Sequence, residues 1–121
     1  MRKFIFVGAF LTGLLVIVSF SGIASAKEWY EGGTLHGATA AQWQEASHEN
    51  KLATCADWLA FLYSNNKLAL SVTNMDELKP YAQELTVCLD TSLEGLTSEE
   101  VGNNGAVELS LMCVALMGWL K

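Results

Sequence analysis

Two histidines, three cysteines and a single Glu-x-x-His unit are the residues of this chain whose types and spacing could do chemistry. Glu45 and His48 stand three apart, so on a helix both side chains fall on one face. Di-metal carboxylate bundles use that unit, but in duplicate and with two further glutamates. Here the unit occurs once and the other histidine, His36, stands far from it in sequence. The donor set is too small for a metal centre, and an i,i+3 ion pair on a wet helix face is the expected role. Ser47 adjoins His48, yet neighbours on a helix point apart. No G-x-S-x-G elbow and no Cys-His protease signature occurs. The acid pairs Asp76-Glu77 and Glu99-Glu100 fall at expected helix starts, where they complement the macrodipole. A glycosidase pair would need a cleft that so short a chain has little room for. The expectation is no enzyme, no cofactor and no metal site.

The cysteines take their meaning from the compartment. Met1-Arg2-Lys3 gives a positive start, Phe4 to Val18 an apolar run, and Ala24-Ser25-Ala26 a small-residue cleavage pattern. Together these read as a signal peptide over 1–26, removed before Lys27. The apolar run falls short of the roughly 20 residues a membrane span needs. The short positive start suits a bacterial Sec signal, so the expected location is the periplasm or the medium. The residue just after the cleavage point is Lys27 and not a cysteine, so a lipid anchor is not expected. In an oxidising compartment cysteines pair. Cys55, Cys88 and Cys113 are too far apart for a C-x-x-C motif. They permit one bridge, with three possible pairings and one sulfur left over. Closing a loop of about 30 residues would add roughly 3–4 kcal/mol.

Charge narrows the partners. The chain carries 7 basic and 13 acidic residues; Arg2 and Lys3 precede residue 27, which leaves five bases against thirteen acids, or −8. Such a balance disfavours nucleic acid, which demands a basic face, and an electrostatic grip on anionic lipid. Of the 62 apolar residues 17 precede residue 27, and the 45 that remain among 95 point to a part that folds.

The pattern predicts a single all-α domain over 27–121: a bundle of about four helices with one disulfide and no sheet. Residues 27–38 form an irregular lead-in holding Trp29, Tyr30 and the Gly32-Gly33 pair. Thr39 with Gln42 fits a capping box, opening a helix over about 40–49. Leu52, Cys55, Ala56, Leu59, Leu62 and Tyr63 form an apolar stripe at helical spacing, closed by Ser64-Asn65-Asn66. Residues 67–72 alternate weakly but have no strand to pair with, and read as a loop. Asn74 with Glu77 suggests the next cap, followed by Leu78, Tyr81, Ala82, Leu85, Cys88 and Leu89. Pro80 lies too deep for a first turn, so either the main helix begins there or it is kinked. Thr97 to Glu100 looks like a further start that Gly102 breaks. Ala106 to Leu120 is apolar nearly all round, which suits a central core helix or one side of an oligomer contact. Tryptophans at helical spacing are core by default. Trp29, Tyr30 and Trp58 are the candidates for touching a partner, the first two also being able to pack back on the bundle.

Thr54-Cys55-Ala56-Asp57-Trp58-Leu59 resembles the Thr-Cys-x-Asp/Glu-aromatic-aliphatic start of the HdeA/HdeB acid-stress chaperones of the periplasm. The stretch from Val72-Thr73 to Cys88 resembles that family's second half, in which a capped helix carries the partner cysteine. The resemblance implies a helix-to-helix bridge between Cys55 and Cys88. It also implies a homodimer at neutral pH that opens in acid to hold unfolding clients. Protonation of thirteen carboxylates near their usual pKa of about 4 would turn the −8 chain positive. Residues 29–50, the apolar 106–120 segment and Cys113 lie outside the pattern. Small exported immunity proteins, which neutralise a toxin or enzyme by binding it, share the same size and helical character. The expected function is therefore non-catalytic protein binding. Acid-stress chaperoning stands first, an immunity or inhibitor protein second, and a small metal-binding or hydrolytic protein last.

Overall fold

The computed structural model describes residues 27–121; the signal-peptide reading of 1–26 lies outside the described residues. These residues are 60% helical and contain no strand. Five helices follow one another: α1 (Ala40–Glu45), α2 (His48–Ser64), α3 (Met75–Leu93), α4 (Ser98–Val101) and α5 (Ala106–Leu116).

Capping chemistry sets most of these boundaries. Thr39 and Gln42 form the expected capping box on α1. The helix then stops at Glu45, with Ala46 and Ser47 both extended. Ser47 turns its hydroxyl to the Asn50 amide at 3.1 Å and starts α2. The first helix, expected over 40–49, thus ends at Glu45 and the next begins at His48, because a serine side chain offers the backbone a cap in place of another turn. Asn74 caps α3, which runs unbroken through Pro80. Thr97 and Glu100 form a second complete capping box, so the 97–100 signal does yield a helix. It lasts four residues before Gly102, at φ 60°, ends it. That short helix accounts for five helices where about four were expected.

α2 and α3 are the central pair. Lys51 of α2 meets Asp90 of α3, and Cys55 meets Thr86, so the two run antiparallel. Leu59, Leu85 and Leu89 are fully buried in the core they share with α1 and α5. Trp43 of α1 is also fully buried; its indole donates to Asp90 at 2.9 Å, and Lys51 reaches the same carboxylate at 3.0 Å. A buried indole without an acceptor is costly, so this three-helix knot fixes where α1 sits.

The lead-in 27–38 lies along α2. A Cβ at Gly33 would stand 2.6 Å from the Thr54 amide nitrogen, so only glycine allows this approach. Just after it the Thr34 amide donates to the Asn50 side chain, and the Leu35 amide to the Thr54 hydroxyl. Residues 67–72 remain a loop, but Leu68 pairs with Leu120 in an isolated antiparallel bridge. A second such bridge joins Thr39 to Gly105. The α5 segment is thus tied down at both ends.

The disulfide joins Cys88 to Cys113, with Cα atoms 6.1 Å apart. This corrects the Cys55–Cys88 pairing, and leaves Cys55 a free, fully buried thiol. The reason is helical phase. Cys55 faces α3 at Thr86, and Cys88 lies two positions on, about 200° round the helix axis. Cys88 therefore points away from α2 and towards α5.

Candidate functional site

Among the described residues the groups singled out for chemistry stand apart from one another. Glu45 ends α1 and His48 opens α2, so the shared helical face expected of them does not exist. His36 bonds instead to Asp57, Nε2 to Oδ2 at 2.7 Å, with both side chains nearly half exposed at 46% and 41%. The His36 ring also meets the edge of Trp58, centroids 6.4 Å apart. The pair rims a shallow groove completed by Ala60, Phe61, Ser64 and Val107. Ser64 is the hydroxyl in that lining, but seven positions along α2 from Asp57 place it about two turns, or 10 Å, away. Among the described residues Asp57 is the side chain hydrogen-bonded to His36, and no hydroxyl or thiol bonds to its ring. Among the described residues no group of three or more His, Cys, Asp or Glu could hold a metal ion.

Cys55 is equally quiet. Burial pushes its thiol up to about 12, outweighing the neighbouring Thr86 hydroxyl, which favours the thiolate from 3.3 Å. A thiol so far from ionisation is a small hydrophobe rather than a nucleophile.

The aromatic candidates sit as follows. The Trp29 indole donates to Asp76 at the start of α3 at 3.1 Å, and its ring lies edge-on to Tyr30, centroids 5.5 Å apart. Lys79 rests over the same ring at 5.7 Å. Both aromatics are half-buried and packed against the core. Trp58 is buried and stacks on Trp43 with centroids 5.8 Å apart, so it offers a groove floor and no projecting anchor.

The largest departure from expectation is α5. Its buried side chains are Ala106, Ser110, Cys113 and Val114, which share one arc of the helix. The opposite arc carries Leu111 at 42% exposure, Met112 at 60% and Leu116 at 82%. So α5 is not a central core helix. It lies on the surface with an apolar side inward and an apolar side outward. The sequence does carry the signal that separates the two: small residues at 106, 110, 113 and 114 mark the side that packs closely, leaving the long side chains facing out.

Beside the C-terminal end of α5 runs a groove along α3. It is lined by Gln83, Glu84, Val87, Cys88, Thr91, Ser92 and Met117, with the half-buried Cys88 in its wall. Val87 projects there at 61% exposure. Isolated exposed apolar residues are ordinary, but several large ones on one helix face mark an interaction site. The disulfide anchors α5 to α3, and the two backbone bridges hold the ends of its segment, so the face is rigid before anything binds. Such an arrangement offers a preformed apolar surface. No helix among the described residues is long and apolar enough to cross a membrane.

Comparison of the chain with protein-family models, with curated proteins and with solved structures returns no match.

Proposed function

We propose that this protein is an exported, non-catalytic protein-binding module that grips its partner with the outward face of α5. One observation carries the reading: Leu111, Met112 and Leu116 stand open to solvent on a helix that is already covalently anchored. Leaving three large apolar side chains wet forfeits about 1.5–3 kcal/mol for each one not buried. A partner that covers them recovers that energy without the cost of ordering the site. Because the face exists in the folded state, binding requires no prior opening. This suits an immunity or inhibitor protein with one specific partner.

The acid-stress reading is supported by a different observation, the thirteen carboxylates against five bases in residues 27–121. A chaperone of the HdeA/HdeB kind would need that imbalance to loosen the bundle in acid. The bridge holding it together would be Cys88–Cys113.

Site-directed photo-crosslinking in the native host separates the two. A photoreactive residue at 116 should give one discrete adduct at neutral pH if the partner is specific. It should give many adducts, in acid only, if the protein holds unfolding clients. The same probe at Gln42, on the exposed side of α1, should give none. No adduct at 116 under either condition would refute the binding function.

A further inference from the structure

Charge around the α5 face tells more about its occupant. Glu108 sits within the outward arc, one turn before Leu111 and Met112. Glu84 stands at the groove under Val87 and Met117. Across α3 and α5 the acids are Asp76, Glu77, Glu84, Asp90 and Glu108, and the only base is Lys79. Lys79 lies over Trp29 at the far end of α3, and Asp90 is taken by Lys51 and Trp43. No basic residue stands in the last turn of α5, whose final carbonyls are capped by the backbone amides of Met117, Gly118 and Trp119. The face is therefore apolar in the middle and flanked by Glu84 and Glu108, and Lys121, beyond the end of α5, is bonded to Asn66.

Resting on the reading of α5 as a binding surface, we infer that the partner segment is a cationic amphipathic helix. Its leucine-like side would lie on Leu111, Met112, Leu116 and Val87. Its lysines or arginines would reach Glu84 and Glu108. A helix laid on a groove presents anchors at i, i+3, i+4 and i+7, the spacing needed to follow such a strip. The groove spans Gln83 to Ser92, nine rises of α3 or about 14 Å, room for between two and three turns of a partner helix. A second copy of this chain fits less well, because it would bring its own Glu84 and Glu108 and its own −8 charge to the same surface.

The test uses residues 27–121 and two synthetic peptides of about four helical turns. One is built of leucine and lysine on opposite faces, the other of leucine and glutamate. Binding is followed by calorimetry, and the bound site by hydrogen exchange. The leucine–lysine peptide should bind and protect 83–92 and 106–117, and the leucine–glutamate peptide should not bind. Leu116→Asp with Met112→Asp should abolish binding. Glu84→Gln with Glu108→Gln should weaken it about fivefold and flatten its salt dependence. All four positions are exposed, so circular dichroism should show an unchanged fold. Equal binding of both peptides on this face would overturn the cationic partner and leave the binding surface standing. A concentration-dependent dimer that Leu116→Asp dissociates would overturn it in favour of a second copy. Failure of the leucine–lysine peptide to bind, while residue 116 still crosslinks in the host, would overturn the inference alone.

Discussion

Removing the Cys88–Cys113 bridge should release α5 while the α2–α3 pair stays folded. The bridge closes a 25-residue separation, which the chain-entropy relation puts at about 3–4 kcal/mol. The inward side of α5 cannot replace that. It buries Ala106, Ser110, Cys113 and Val114, of which only Val114 has a bulky aliphatic side chain, contributing about 1.5–2 kcal/mol. Trp119, buried edge-on against Tyr81 at 5.2 Å, is the other substantial anchor of the segment. By contrast, α2 and α3 share Leu59, Leu85 and Leu89, each fully buried. In the Cys88→Ser/Cys113→Ser double variant, amides of 106–116 should therefore lose two to three powers of ten in hydrogen-exchange protection. Those of 56–62 and 82–89 should change by less than about tenfold. Unchanged protection in α5 would refute the reasoning. So would loss of protection in α2 and α3 in step with α5, since the bridge would then be holding the whole bundle rather than one helix.

Other perturbations follow from single contacts. The Cys55 thiol, raised to about 12 by burial, should resist alkylation at pH 8 until the protein is denatured. Because its folded pKa lies above the unfolded value of 9.0, its contribution to stability is intact below pH 9 and fades as pH rises towards 12, at up to about 1.4 kcal/mol per unit. Denaturant titrations should show that slope flattened in Cys55→Ala. Gly33→Ala forces a Cβ onto the Thr54 amide and should cost about 1–3 kcal/mol, with loss of protection confined to 27–38 and the adjoining turns of α2. Asp90→Ala strips the acceptor from both Trp43 and Lys51 and should cost about 2–4 kcal/mol in chemical denaturation. Asp57→Asn, at an exposed pair, should cost less than about 1 kcal/mol.

Much of the architecture is legible in the residue order because it is written in local chemistry. Thr39 with Gln42, Asn74 with its reach to Glu77, and the stripe from Leu52 to Tyr63 each act within one or two turns of themselves. What is harder to read depends on how helices meet. Ser47 breaks a helix that periodicity alone would continue, and thereby separates Glu45 from His48. The pairing of three cysteines depends on which way each faces. Cys55 and Cys88 both lie on well-patterned helices, but the angle between Thr86 and Cys88 on α3 sends the bridge to Cys113. For α5 the ambiguity is of another kind. A helix apolar all round gives no amphipathic stripe, and only the small residues at 106, 110 and 113 distinguish its inside from its outside. The surface on which the proposed function rests is therefore the element whose hydropathy pattern says least.

The most direct measurement is the affinity of the purified protein for the partner that crosslinks at residue 116, compared between the native sequence and Leu116→Asp at matched thermal stability. Leu116 is 82% exposed and carries no fold of its own to lose. A charge buried against an apolar partner should weaken the complex at least tenfold, with melting unchanged. An affinity indifferent to this substitution would contradict the claim that the outward side of α5 is where the protein takes hold.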